Sequence, residues 1–344
     1  MRLGLMCGYS GAQMNIDIDV IREAESLGYD SVWTAEAWGS DAVSPLAWIG
    51  AQTTKIRLGT AIMQLPGRSP ANTAMTAMTL DALSHGRFIL GLGTSGPQVV
   101  EGWHGQPFAK ALRWMREYIT VVRKILAREE PLTFEGERYQ IPYHGPGSTG
   151  QGKPLKSILH ARPDIPIYVG AMAPKSQAQT AELADGLLLT CMHPERFDVI
   201  EENLREGFAR AGGGKGLHAF DVAPTVTVVV DDDLERARLP VKQSLALYIG
   251  GMGSREQNFY NAYIRRVGFA EAAQKIQDLF LAGRKKEAIA AVPDALVDAL
   301  HLVGSKERIR DRLTAWKESP VGTLIVSVPQ PHAVRVLAEI FASV

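Results

Sequence analysis

The sequence predicts a (β/α)8 TIM barrel, and three observations carry that prediction. Short apolar, β-branched runs alternate with amphipathic helical stretches, the pattern of a parallel sheet covered by helices. Eight such runs follow one another in β-α order along the whole chain. The 344 residues exceed the ~250 of a typical barrel, which leaves room for insertions after strands four and seven. No internal repeat or linker interrupts the pattern, so residues 1–344 are expected to form a single domain.

Residues 2–7 (RLGLMC) read as strand one, and residues 16–27 as a helix stopped by Gly28. Strand two is 30–34 (DSVWT), followed by a helix over 45–53. Strand three is 56–63 (IRLGTAIM), and the helix over 70–83 begins with Pro70 in its first turn. Strand four is 87–91 and the next helix 114–127. Residues 132–141 suit a hairpin with Gly136 in its turn, and HGPGSTGQGKP after it holds too much Gly and Pro for regular structure. Alternation resumes with strands at 165–169 and 186–190 and helices at 175–184 and 195–210. Strand seven is 220–230, a mostly helical insertion covers 234–291, and a helix spans 306–317. Strand eight is 323–328 (TLIVSV), and a helix over 332–343 closes the chain.

Composition narrows the partners. With 37 basic and 37 acidic side chains, the chain lacks the positive field that nucleic acids or anionic membrane surfaces attract. No apolar run approaches the ~18 residues of a membrane span, and no signal peptide is evident. Cys7 and Cys191 form no disulfide framework or metal spacing, and no histidines pair at i and i+4. A cytoplasmic enzyme acting on a small molecule, without metal, is the expectation.

Residues Gly91–Gly96 (GLGTSG) match G-x-G-x-x-G after an apolar run. A dinucleotide loop also needs a helix after it and an acid about 20 residues on. Pro97, Gly102, Gly105 and Pro107 interrupt the next stretch of chain, Glu117 lies in helical sequence, and several β-α units come first. The motif instead reads as the loop after strand four at the barrel's C-terminal mouth, where active sites of this fold lie. A tight turn without ligand is the alternative reading.

The other strand ends deliver Cys7, Gly8 and Tyr9; Thr34, Glu36 and Trp38; Ala61, Ile62, Met63 and Gln64; Thr94 and Ser95; Gly170, Ala171 and Met172; and Thr190 to His193. This set is small, apolar and aromatic. It lacks the paired acids of a glycosidase and the acidic cluster of a magnesium site. A wide apolar mouth suits a planar cofactor that carries its own chemistry. In GAMAPKS (170–176), a strand is followed by small residues, then Pro174, Lys175 and Ser176 at a helix start, where free N–H groups bind phosphate. An ordinary helix start is the alternative. The cysteines read as inert buried thiols or as pocket lining, and His104 and His193 as acid, base or donor candidates, or as ordinary surface or core histidines.

Six stretches in order, AESLGYDSVWTAEAW, KIRLGTAIMQLPGRSP, DALSHGRFILGLGTSG, GKPLKS, RPDIPIYVGAMAPKSQAQTAELADGLLL and VGSKERIRDRL, resemble the luciferase-like oxidoreductase superfamily, particularly its coenzyme F420-dependent branch. The resemblance implies the same barrel, a homodimer, and a deazaflavin ring lying across the mouth. It implies a bulge after strand three with a non-proline cis peptide between Ala61 and Ile62. Thr94 and Ser95 would contact the cofactor, and Gly170, Ala171 and Met172 would hold its phosphate, with Lys175 near the polyglutamate tail. Glu36, Gln64 and Gly96 are further expected cofactor contacts.

Two departures shape the expected chemistry. Alcohol- and sugar-oxidising members have an acid-histidine pair where this chain has Glu36-Ala37, and a glutamate where it has Gly96. The expected activity is therefore F420-dependent hydride transfer with reduction of the organic substrate favoured, and Glu36 and His104 are the candidate polarising or protonating groups. An FMN-dependent monooxygenase and a non-catalytic flavin-binding protein are the alternatives.

Overall fold

The predicted strands lie side by side in chain order, and the last returns to the first. The computed structural model describes residues 1–8 and 10–343, so Tyr9, assigned above to a strand end, lies outside the described residues. The barrel strands are β1 (Arg2–Gly8), β2 (Ser31–Thr34), β3 (Arg57–Thr60), β4 (Phe88–Gly93), β5 (Ile167–Gly170), β6 (Gly186–Thr190), β7 (Asp221–Val230) and β8 (Thr323–Ser327). All pairings between neighbours are parallel, and the circle closes where β8 sets Leu324 beside Leu3 and Val326 beside Val226. The fold is a closed eight-stranded TIM barrel.

Strand alternation divides the core in two. Trp33, Ile89, Tyr168, Leu188, Ala223 and Ile325 point inward and fill the barrel, with Met6, Ala61 and Ile62 packed against them. Val32, Leu58, Phe88, Leu90, Leu187 and Leu324 point outward beneath the helices. On the N-terminal floor, buried Asp221 accepts from Tyr168 Oη and Thr323 Oγ1, both at 2.7 Å, and pairs with Arg2.

The helices come in chain order, all but α4 expected: α1 (Ile18–Ser26), α2 (Val43–Gly50), α3 (Pro70–Leu83), α4 (Pro97–Gly102), α5 (Ala111–Ala127), α6 (Pro174–Leu183) and α7 (Asp198–Ala211). The insertion after β7 contains α8 (Leu234–Gly251), α9 (Phe259–Arg266), α10 (Ala270–Leu281), α11 (Lys285–Ala290) and α12 (Asp294–Leu300). The chain ends with α13 (Lys306–Glu318) and α14 (Ala333–Ser343). No helix among the described residues is long and apolar enough to cross a membrane.

Four local expectations change. Strand three does not run unbroken to Met63: β3 stops at Thr60, the Ala61–Ile62 peptide is cis, and Met63–Gln64 pairs separately with Leu92 and Gly93. A helix does come after the glycine motif, because Pro97 occupies its first turn, where no N–H is needed. It lasts only six residues. The hairpin shrinks to Phe134–Glu135 and Gln140–Ile141. Its turn is held by buried Glu117, whose carboxylate accepts the N–H groups of Glu137, Arg138 and Tyr139. Finally, α12 and a short strand, Leu302–Gly304, extend the insertion beyond residue 291, and that strand pairs with the end of β7.

Candidate active site

The break after β3 builds one side of the mouth. Thr60 Oγ1 donates to Gly91 O and accepts from Gly91 N–H, both at 2.8 Å. A Cβ on Gly91 would lie 1.7 Å from Thr60 O, so this glycine serves strand contact rather than a phosphate. A Cβ on Gly96 would meet nothing within 4 Å, which leaves open space where related oxidising enzymes are expected to carry a glutamate.

Glu36 organises the neighbouring loops. Its Oε1 accepts from Gln64 N–H and from Arg68 Nη1, each at 2.7 Å, and its Oε2 accepts from Ala42 N–H at 3.0 Å. The Glu36 carboxylate is 8% exposed, and Arg68 is 17% exposed. Both carboxylate oxygens of Glu36 are thus engaged, and its ion pair with Arg68 braces the loops after β2 and β3.

Gln64 joins Glu36 to His104. Its Nε2 donates to Glu36 O at 3.1 Å and reaches Ser95 Oγ at 3.4 Å, so its Oε1 is left to accept from His104 Nε2 at 2.8 Å. Because a backbone carbonyl can only accept, this network assigns the amide orientation and puts the proton of neutral His104 on Nε2. Nδ1 is then the available acceptor. Ser95 itself has φ +62°, a left-handed conformation uncommon outside glycine.

The opposite side of the mouth is a backbone cradle. Gln177, fully buried at the start of α6, donates to Ala171 O at 3.4 Å and Met172 O at 3.3 Å, and Asn203 holds its other end. Arg266 of α9 also donates to Met172 O, at 2.8 Å. In a trans peptide the C=O and N–H point opposite ways, so tying these carbonyls inward turns the N–H groups of Met172 and Ala173 outward. Helix α6 starts at Pro174 with no side-chain cap. Among the described residues, no hydrogen bond is made by the N–H groups of Met172, Ala173, Lys175 or Ser176. This arrangement fits an anion at a helix N-terminus. Lys175 is exposed beside it.

The chain matches the family described as luciferase-like monooxygenase over residues 4–323. It belongs to that family. A Mycobacterium tuberculosis protein provisionally named a coenzyme F420-dependent oxidoreductase is 46% identical over 342 residues, covering 99% of each chain. The 5,10-methylenetetrahydromethanopterin reductase of Archaeoglobus fulgidus is 28% identical, covering 90% of this chain and 88% of that one. The solved F420-dependent tetrahydromethanopterin reductase of Methanopyrus kandleri superposes with a TM-score of 0.79 at 23% identity, over 98% of this chain and 97% of that one.

In this luciferase-like chain the remaining predicted groups separate. Cys191 is buried, whereas Cys7 is solvent-accessible with protein around most of it; desolvation pushes both thiols up to about 12. Neither is a poised nucleophile. His193 is held below the usual histidine range by burial, and its backbone N–H donates to Tyr263 Oη at 3.2 Å. Ala61 and Ile62 pack on the inner barrel core beneath the mouth.

Two contributors were missed by the sequence reading. Arg68 lies inside the quoted stretch LPGRSP, but only folding brings it to Glu36. Arg266 comes from the insertion, 94 positions from the carbonyl it contacts. A basic residue in the helical insertion carried no signal by itself. Among the described residues no three His, Cys, Asp or Glu side chains cluster to hold a metal.

Proposed function

We propose that this protein is an F420-dependent oxidoreductase that transfers a hydride between the deazaflavin and a small organic substrate, reducing the substrate. The observation that carries the reading is the cradle of outward N–H groups from Met172 to Ser176 beside an apolar mouth. It suits a planar ring with an anionic side chain, and the name of the 46%-identical relative favours F420 over FMN. Bound there, the deazaflavin supplies the hydride-carrying carbon.

The chain's own residues bind, orient and move protons. Residues Gly170 to Lys175 anchor the anionic end, while Ala61, Ile62 and the Thr94–Gly96 loop shape the ring site. His104, oriented by Gln64, is assigned to donate to the substrate from Nδ1 in its charged form, with Nε2 held by Gln64 Oε1, and to deliver that proton. Ala37 and Gly96 offer no base for removing an alcohol proton, whereas reduction of an electron-poor double bond or imine needs chiefly a donor to the developing charge. The outer surfaces of α2 and α3 are almost free of charge and expose Trp48, Met75 and Leu83, which supports a homodimer as the working assembly.

The decisive assay tracks deazaflavin absorbance. Reduced F420 is expected to be consumed with activated alkenes or imines faster than oxidised F420 is consumed with simple alcohols or glucose 6-phosphate. Robust alcohol oxidation overturns the direction, and binding of FMN with no binding of F420 overturns the cofactor.

A further inference from the structure

The inward face of the barrel changes character from one side of the mouth to the other. On β4 and β5 the positions above the inner core are glycines. Gly91 and Gly170 pair with the inward-pointing Tyr168 and Leu188. Ile62 covers this side, since a Cβ on Gly93 or Gly170 would meet its side chain at 2.8 or 3.2 Å. Strands β6 to β8 differ. Leu187, Leu189, Val226, Val228, Leu324 and Val326 point outward beneath the helices. Alternation then turns Thr190, Thr225, Thr227 and Ser327 inward at the mouth.

These four side chains form a compact patch. Thr190 lies beside Thr225 in the strand register, and Thr227 beside Ser327. Neighbouring strands are about 5 Å apart and alternate residues of one strand roughly 7 Å, so the hydroxyls share one wall. All four residues are half-buried, and none of their hydroxyls makes a hydrogen bond among the described residues. By contrast, the strand threonines Thr34, Thr60 and Thr323 donate theirs to Ala42 O, Gly91 O and Asp221. Water satisfies the four free hydroxyls while the mouth is open. A planar ligand lying across the mouth shuts that water away, and each hydroxyl then needs a partner on the ligand side. A hydroxyl both donates and accepts but carries no charge. The wall therefore suits a neutral oxygen-bearing group and offers nothing to neutralise a carboxylate or phosphate.

We propose that Thr190, Thr225, Thr227 and Ser327 form a substrate-binding wall that selects a neutral carbonyl compound over an anionic one. The proposal deepens the F420 reading, by naming a substrate class, and rests on it. His104 belongs to the network joining the loops after β2, β3 and β4, whereas the wall stands on β6 to β8. The wall thus holds the carbonyl oxygen, and the proton comes from a different part of the mouth. Charge developing on that oxygen during reduction meets hydroxyl donors already in place.

The test is equilibrium binding to protein loaded with oxidised F420, read from the deazaflavin fluorescence. The probes are cyclohexanone, methylenecyclohexane and cyclohexanecarboxylate, which share a ring and differ in polarity and charge. Wild type should bind the ketone about tenfold or more tightly than the carboxylate. Thr190→Val and Thr225→Val keep side-chain shape and strand propensity. Each should raise the ketone Kd about three- to tenfold, and the double variant further, with methylenecyclohexane within about twofold. The F420 Kd should also stay within about twofold, and the urea midpoint should not fall, because no internal hydrogen bond is lost. An unchanged ketone Kd in the double variant overturns the proposal, as does a carboxylate that binds as tightly as the ketone. Equal weakening of methylenecyclohexane would mark a packing effect, and weakened F420 binding would assign the hydroxyls to the ring edge; either overturns it. So does F420-loaded wild type that binds none of the probes. If wild type binds FMN and no F420, the F420 reading fails, and the same titrations on FMN-loaded protein judge the wall. Wild type that binds neither cofactor overturns both.

Discussion

Nε2 of His104 lies 2.8 Å from Oε1 of Gln64, although the two residues are 40 positions apart. The same glutamine is tied to Glu36 O, and the Glu36 carboxylate to Arg68. One amide therefore links the loops after β2, β3 and β4 and sets the proton position on the only catalytic candidate that this network leaves with a free acceptor.

If His104 delivers the proton, His104→Gln should slow substrate reduction by about 10²-fold, at the lower end of general-acid contributions. The Kd for F420 should move by no more than about twofold, because the anion cradle lies across the mouth. Gln64→Leu should reproduce much of the rate loss by releasing the imidazole. Single-turnover oxidation of bound reduced F420 separates rate from affinity, and an unaffected rate in His104→Gln would assign the proton to another donor.

Glu36→Gln should act on stability more than on chemistry. Removing one partner of a buried ion pair costs about 3 kcal/mol. Asp41, whose carboxylate lies 3.8 Å from Arg68, should keep the loss toward the smaller end. Urea unfolding measures that loss. The pH profile of the reduction rate should keep its shape, and its collapse in Glu36→Gln would make Glu36 the acid.

Ala173→Asp places a carboxylate among the outward N–H groups. Like charge beside the phosphate should raise the Kd of both F420 and FMN about tenfold or more, and added salt should reduce the difference. Fluorescence titration reads it. Unchanged affinity would move the phosphate elsewhere.

His301 predicts a pH dependence of stability. It is buried, its Nδ1 accepts from Thr227 N–H at 3.0 Å, and desolvation lowers its pKa from 6.5 to about 4. Between those values the unfolded chain binds a proton that the folded chain refuses. Its contribution is therefore intact above pH 6.5 and falls progressively as pH drops toward 4, by up to about 3 kcal/mol. Asn at this position keeps an acceptor and removes the titration. Denaturant unfolding from pH 7 to 4.5 should show a flatter profile for His301→Asn than for wild type; parallel profiles would exclude His301 as the source.

The barrel was legible because its signals are local. Apolar alternation marks β-branched runs such as residues 220–230, and Pro70 and Gly28 mark where helices begin and end. Helix α3 and strand β6 occupy the predicted residues. The resemblance supplied what no periodicity could, including the cis peptide at Ala61–Ile62. The six-residue helix at Pro97 was obscured because it ends on Gly102, with Gly105 and Pro107 soon after, and pattern alone does not weigh so short a helix against a loop.

By itself, then, the sequence determined the order of strands and helices, the barrel they close into and the small-residue loop at Gly170–Met172, because propensity and burial act over a few neighbouring residues. Tertiary structure alone decided the charges and protons of the site. Glu36 became an ion-paired brace only when Arg68 reached it, His104 acquired its tautomer only from Gln64, and Arg266 met Met172 across 94 positions. Electrostatic and hydrogen-bonding roles depend on distances of about 3 Å between groups remote in the chain, and those distances exist only after the barrel has closed.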